Sequence, residues 1–132
     1  MTARLFLIPA AISGFLAVAL GAFGAHALRG VLEGYLLQVF HTGVQYQFYH
    51  TLALALVALL PDRPSVRVAG WSFLTGIILF SGSLYVLALS GIHWLGAVTP
   101  LGGTAFLVGW AALLWSAVKL SGNQINADSG KR

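Results

Sequence analysis

His26, His41, His50 and His93 are the side chains best suited to chemistry in this sequence, because imidazole can move a proton near neutral pH or ligate a metal or haem. No two of them stand at i,i+3 or i,i+4 spacing, and no carboxylate is placed to orient one as a second shell to a metal. Cysteine is absent, which excludes thiolate nucleophiles, thiolate metal sites and disulfides. The three acidic residues, Glu33, Asp62 and Asp128, are too scattered to form a carboxylate pair for acid–base work. Metalloprotease, phosphate-loop and nucleophile-elbow motifs are also missing. The chain therefore reads as a non-enzyme with no metal and no cofactor. A His-ligated metal or haem protein is the more remote alternative.

His50 is the sharpest single position. Tyr46 and Gln47 lie four and three residues before it, so all three share a helix face. Gln47 and His50, together with His26, Ser83, Tyr85 and Thr99, make a candidate polar site built from neutral groups. Such a cluster can line a small cavity, or it can hold helices together by hydrogen bonds worth about 0.6–2 kcal/mol each. A second feature is Pro100, followed by Gly102 and Gly103. Proline removes a backbone donor and pushes Thr99 from helical angles, so this segment is either a hinge at membrane depth or simply the start of a helix.

The elements that must position these residues follow from the charges. Of 132 residues, 58% are hydrophobic and 8% are charged, whereas soluble domains run near 25% charged. This excludes a disordered chain, an ordinary water-soluble globule and a nucleic-acid-binding arm, despite a net charge of +4. Uncharged runs cover residues 5–28, 34–61 and 68–118. A helix needs about 20 apolar residues to cross the hydrocarbon core, so the first two runs hold one span each and the third holds two. The expected fold is an all-α membrane protein with four transmembrane helices, over residues 5–26, 43–61, 68–89 and 95–118. Residues 90–94 supply the last turn. Between the first two spans, residues 28–41 read as an amphipathic interfacial helix, apolar at Leu28, Val31, Leu32, Tyr35 and Leu36 and polar at Arg29, Glu33 and Gln38. The other reading of that segment is an extension of the second span. Residues 1–120 form the membrane domain, and the polar stretch 121–132 reads as a mobile cytoplasmic tail.

With four spans both termini share one side, and that side collects Arg4, Arg63, Arg67, Lys119, Lys131 and Arg132 against a lone Arg29 opposite. The basic side is the cytoplasmic one. On this topology the polar candidates fall in the outer halves of the helices. A signal peptide is a poorer reading of the first segment, whose apolar stretch exceeds the usual length.

Small residues recur at helix-contact spacing: Ala17, Gly21 and Ala25 in the first span, Gly76 in the third and Gly109 in the fourth. The pattern suits close packing within the bundle or between copies, and a homo-oligomer is expected.

Four blocks carry a family resemblance: LIPAAISGFLAVALGAFGAHALR, YQFYHTLALALVALL, LFSGSLYVLALSG and VTPLGGTAFLVGWAALL. In this order and spacing they closely resemble the YgdD/YwdK family of small membrane proteins, over about residues 3–119. The resemblance implies a four-span protein of the bacterial inner membrane and supplies no activity. Its motifs fall on Gly21, Gly24 and His26; on Tyr46, Gln47, His50 and Thr51; on Ser81, Gly82, Ser83 and Tyr85; and on Thr99, Pro100, Gly102 and Gly103. His41 and His93 lie outside them, which lowers the metal reading.

Two functional expectations remain. The first is an integral membrane module that packs as an oligomer or binds lipid or a membrane protein partner. The second is a small-solute or ion pathway with an outward-facing vestibule, which the nearly apolar inner halves oppose.

Overall fold

Proline and glycine set the helix boundaries. The computed structural model describes residues 3–131. A 3-10 turn, Ala3–Phe6, leads into α1 (Leu7–His26), and α2 covers Gly34–Leu59. Pro64 opens α3 (Pro64–Gly76), where its missing N–H costs nothing in the first turn. A π-helical turn, Ile77–Ser81, joins α3 to α4 (Gly82–Ser90), so the two form one rod. Gly91, at a φ of 71°, ends α4 in the left-handed region that a side chain would disfavour. A 3-10 turn, His93–Ala97, then precedes α5 (Thr99–Ser129). No strand occurs among the described residues; Arg29 and Leu32 make one isolated bridge.

Three differences from the sequence expectations have physical causes. Residues 28–41 are not a separate helix. The chain turns tightly after His26, with Gly30 at a φ of 85°, and a single helix then runs unbroken from Gly34 through the expected second span. The extension reading of this segment is therefore the one the backbone adopts. Pro100 is not a hinge: it sits in the first turn of α5, so the break lies before it, at residues 91–98. Past Lys119, where the sequence offered only a polar tail, α5 continues as helix to Ser129.

The helices pack antiparallel through small residues. Gly14 meets Thr51, Gly21 meets Val44, and Gly24 lies against the ring of Phe40, stepping back along α1 as the contacts advance along α2. Ala17 is buried on the same line, while Ala25 is exposed, so Gly24 takes the contact expected of Ala25. Between the α3–α4 rod and α5 the fit is reciprocal. Gly76 receives Phe106, Gly109 receives Phe73, and Gly102 lies directly on the backbone of Phe80. Each phenylalanine fills the space opened by a glycine opposite, so backbones approach closely while the volume stays filled.

Two apolar clusters result. The larger is built on Phe6, Leu54, Val57, Val66, Phe73 and Phe106, and the smaller on Leu28, Phe40 and Ala88. Along α2, the buried polar residues Gln47, His50 and Thr51 lie between Phe40 and Leu54.

Candidate functional site

The polar side chains form a layer between the two apolar clusters, with α2 at its centre. Gln47 is buried and uses both ends of its amide. Its Nε2 donates to the backbone oxygen of Ser13 at 2.9 Å, and its Oε1 accepts from the hydroxyl of Tyr85 at 2.6 Å. Ser13 Oγ and Thr51 Oγ1 close the group at 2.6 Å. One amide thereby ties α1, α2 and α4 together.

Two serines on the next turns serve different neighbours. Residues two apart on a helix point to roughly opposite sides, about 200° around the axis. Ser81 donates to the Gly43 carbonyl of α2 at 2.7 Å, whereas Ser83 pairs with Thr99 of α5 at 2.7 Å. Gly43 is needed for the first contact, because a Cβ there would reach 2.8 Å from the Tyr85 ring.

His50 faces α5. Its Nδ1 lies 2.8 Å from the carbonyl of Tyr46, and its Nε2 lies 3.1 Å from Trp110 Nε1. A carbonyl only accepts and an indole N–H only donates, so the partners assign the proton to Nδ1 and the lone pair to Nε2. The imidazole also stacks flat on Phe106, with Phe73 and Trp110 tilted beside it. Both nitrogens and one ring face are thus occupied by protein.

Of the six candidate site residues, the structure brings Gln47 and Tyr85 together directly, and Ser83 with Thr99. His50 joins the layer through a different partner, Trp110. His26 ends α1 on the exposed surface and takes no part. The layer also sits deeper than expected. His50 lies nine residues, about 14 Å, before the end of α2, and Ser13 lies about 15 Å from Ala3. Both distances put Ser13 and His50 near the middle of the bundle, while Ser83, Tyr85 and Thr99 belong to positions closer to the far end.

Ser13 and Trp110 are participants that sequence reasoning missed, because both lie in segments read as apolar halves. A usable signal existed for Ser13: it is the one hydroxyl in a long apolar helix. Among the described residues no three His, Asp or Glu side chains come together as a metal site. Ser116 is the one buried polar side chain there without a partner.

The outside of the molecule is the reverse of its inside. Large apolar side chains face outward, with Phe15 at 75% and Leu59 at 77% exposure, around the buried Gln47, His50, Thr51 and Ser81. Water would penalise that surface, whereas hydrocarbon favours it. Three rods, Ala3–His26, Pro64–Ser90 and His93–Ser129, are long and apolar enough to cross a bilayer. An apolar exterior around a hydrogen-bonded polar layer defines a helical membrane protein.

The chain belongs to the DUF423 family, whose model is described as a protein of unknown function and matches residues 20–103. It is 52% identical over 120 residues to the UPF0382 membrane protein YwdK of Bacillus subtilis, covering 88% of this chain and 98% of that one. Identity is 46% over 126 residues to the UPF0382 inner membrane protein YgdD of Escherichia coli, with 91% and 94% covered. A UPF0382 membrane protein of Haemophilus influenzae is 47% identical over 116 residues, with 86% and 94% covered. No solved structure matches the chain.

Proposed function

We propose that this protein is a four-span module of the bacterial inner membrane, with both termini cytoplasmic, that acts without catalysis. Its polar layer locks the helices so that their outer surface is presented to lipid, to a second copy or to a membrane protein partner. The observation that carries this reading is the use of Gln47: both ends of its amide are spent on neighbouring helices. Groups waiting for a solute would keep donors or acceptors turned to a cavity, whereas these are turned to each other.

The fourth span is α2. Its polar residues lower its average hydropathy, so it is not among the three rods that qualify by composition. Its 26 residues, about 39 Å of helix, are long enough to cross, and its polar side chains face inward. The cytoplasmic assignment of the termini draws on the lysines and arginines gathered at that end, where Lys119 also lies over the Trp115 ring at 5.0 Å. The inner-membrane assignment draws on the name of the Escherichia coli relative.

Purified protein in liposomes tests the reading. No movement of protons or small solutes is expected, and His50→Gln or Tyr85→Phe should weaken the fold or its assembly. Solute flux that either substitution abolishes in an intact fold would overturn it.

A further inference from the structure

A cavity of about 660 Å³ opens where the start of α1 meets the end of α2. Arg4 and Leu7 line it from the first rod, and Ala58, Leu59 and Asp62 from the end of α2 and the residues after it, so a cation and an anion both border a largely apolar lining. The volume lies within the roughly 300–1,000 Å³ of small-molecule sites. Where the helices sit in a bilayer, as proposed above, this is the boundary between hydrocarbon and water on the side rich in arginine.

The two charges of the lining suit a ligand of mixed charge. Arg4 is exposed and has no carboxylate partner among the described residues. A guanidinium at a membrane boundary over an apolar floor suits a lipid phosphate, which it can hold by charge-assisted bonds. The second charge is negative. Arg67 Nη1 lies 3.4 and 3.5 Å from the two carboxylate oxygens of Asp62, but a carboxylate offers about four acceptor positions, so capacity remains. The carboxyl end of α2 adds its own negative pole, and Pro61, which has no N–H, cannot cap the last carbonyls.

We infer that this cavity binds the headgroup of a phospholipid bearing a primary ammonium, phosphatidylethanolamine, with the phosphate at Arg4 and the ammonium at Asp62. The acyl chains leave past Leu7 and Leu59, which are exposed on the same face. An anionic lipid satisfies Arg4 but meets repulsion from Asp62. A trimethylated ammonium keeps its charge but has no N–H to donate to the carboxylate.

The test uses the full chain, purified in detergent, stripped of lipid and offered equal amounts of phosphatidylethanolamine and phosphatidylglycerol. Bound lipid is read by native mass spectrometry. Retention of phosphatidylethanolamine should exceed that of phosphatidylglycerol about fivefold and fall stepwise as the amine is methylated to phosphatidylcholine. Asp62→Asn should remove the preference, Arg4→Gln should lower retention of both lipids, and Arg67→Gln should leave the preference in place. Equal retention by the unaltered protein, or loss of the preference in Arg67→Gln alone, would overturn the assignment. The methylation series needs no variant, so it decides even where Asp62→Asn does not fold, and a flat series refutes the site. Displacement of the lipid by micromolar phosphoethanolamine lacking acyl chains also refutes a lipid site. Embedding in the membrane is checked separately by carbonate extraction, so failure of the headgroup site and failure of the membrane reading are distinguishable.

Discussion

The imidazole of His50 lies on the ring of Phe106 with centroids 3.4 Å apart and planes 8° from parallel, while Trp110, one turn further along the same helix, donates to its Nε2. Phe106 can reach that position because Gly76 leaves room behind it. A polar contact and a glycine contact are therefore parts of one joint between α2, α3 and α5. Histidine here is a shaped hydrogen-bonding plate whose place is fixed from three sides.

That arrangement predicts a specific tautomer. Nitrogen-15 NMR of histidine-labelled protein should show His50 with its proton on Nδ1. Trp110→Phe removes the indole N–H directed at Nε2 and should cost about 0.6–2 kcal/mol in thermal unfolding in detergent. A proton on Nε2 in the unaltered protein would contradict the assigned hydrogen bonds.

The glycines of α5 should respond unequally to alanine. At Gly102 a Cβ would collide with the backbone of Phe80, which cannot rotate away, so Gly102→Ala should cost about 1–3 kcal/mol. At Gly103 the nearest atom is 3.8 Å off, an ordinary contact. Gly103→Ala should be neutral or gain up to about 1 kcal/mol from helix propensity. Thermal melts of the two variants side by side check this, and equal losses would contradict the packing.

The absence of cysteine makes topology directly readable. Single cysteines at Ser65 and Gln124 should react with an impermeant maleimide only from the cytoplasmic side. Cysteines at Val31 and His93 should react only from outside. Labelling of residues 31 and 124 from the same side would contradict four spans.

Much of the fold was legible because lipid imposes simple rules. Long uncharged runs marked the rods, and the turn over residues 90–94 and Pro100 punctuated them. The segment over residues 28–41 misled because its two-sided pattern suits an interfacial helix and also the exposed end of a longer one; only packing of Phe40 against Gly24 distinguishes them. In the candidate site, Gln47, His50, Ser83, Tyr85 and Thr99 stood out as polar residues in apolar surroundings. Two of their partners did not, since Ser13 and Trp110 are brought to them by antiparallel registers that no local pattern encodes. His26 was drawn in by its depth and by the motif it shares with the resembling family, and it lies exposed at the end of α1.

The claim that these polar groups serve as joints between helices is tested most directly by a double-mutant cycle on Gln47 and Tyr85, read as unfolding free energy in detergent. Gln47→Leu leaves the half-buried Tyr85 hydroxyl without its acceptor, and Tyr85→Phe leaves the Gln47 oxygen without its donor. Each single change should destabilise, and the two should couple by about 0.6–1.7 kcal/mol. Additivity within about 0.3 kcal/mol, or a Gln47→Leu protein as stable as the original, would contradict the account.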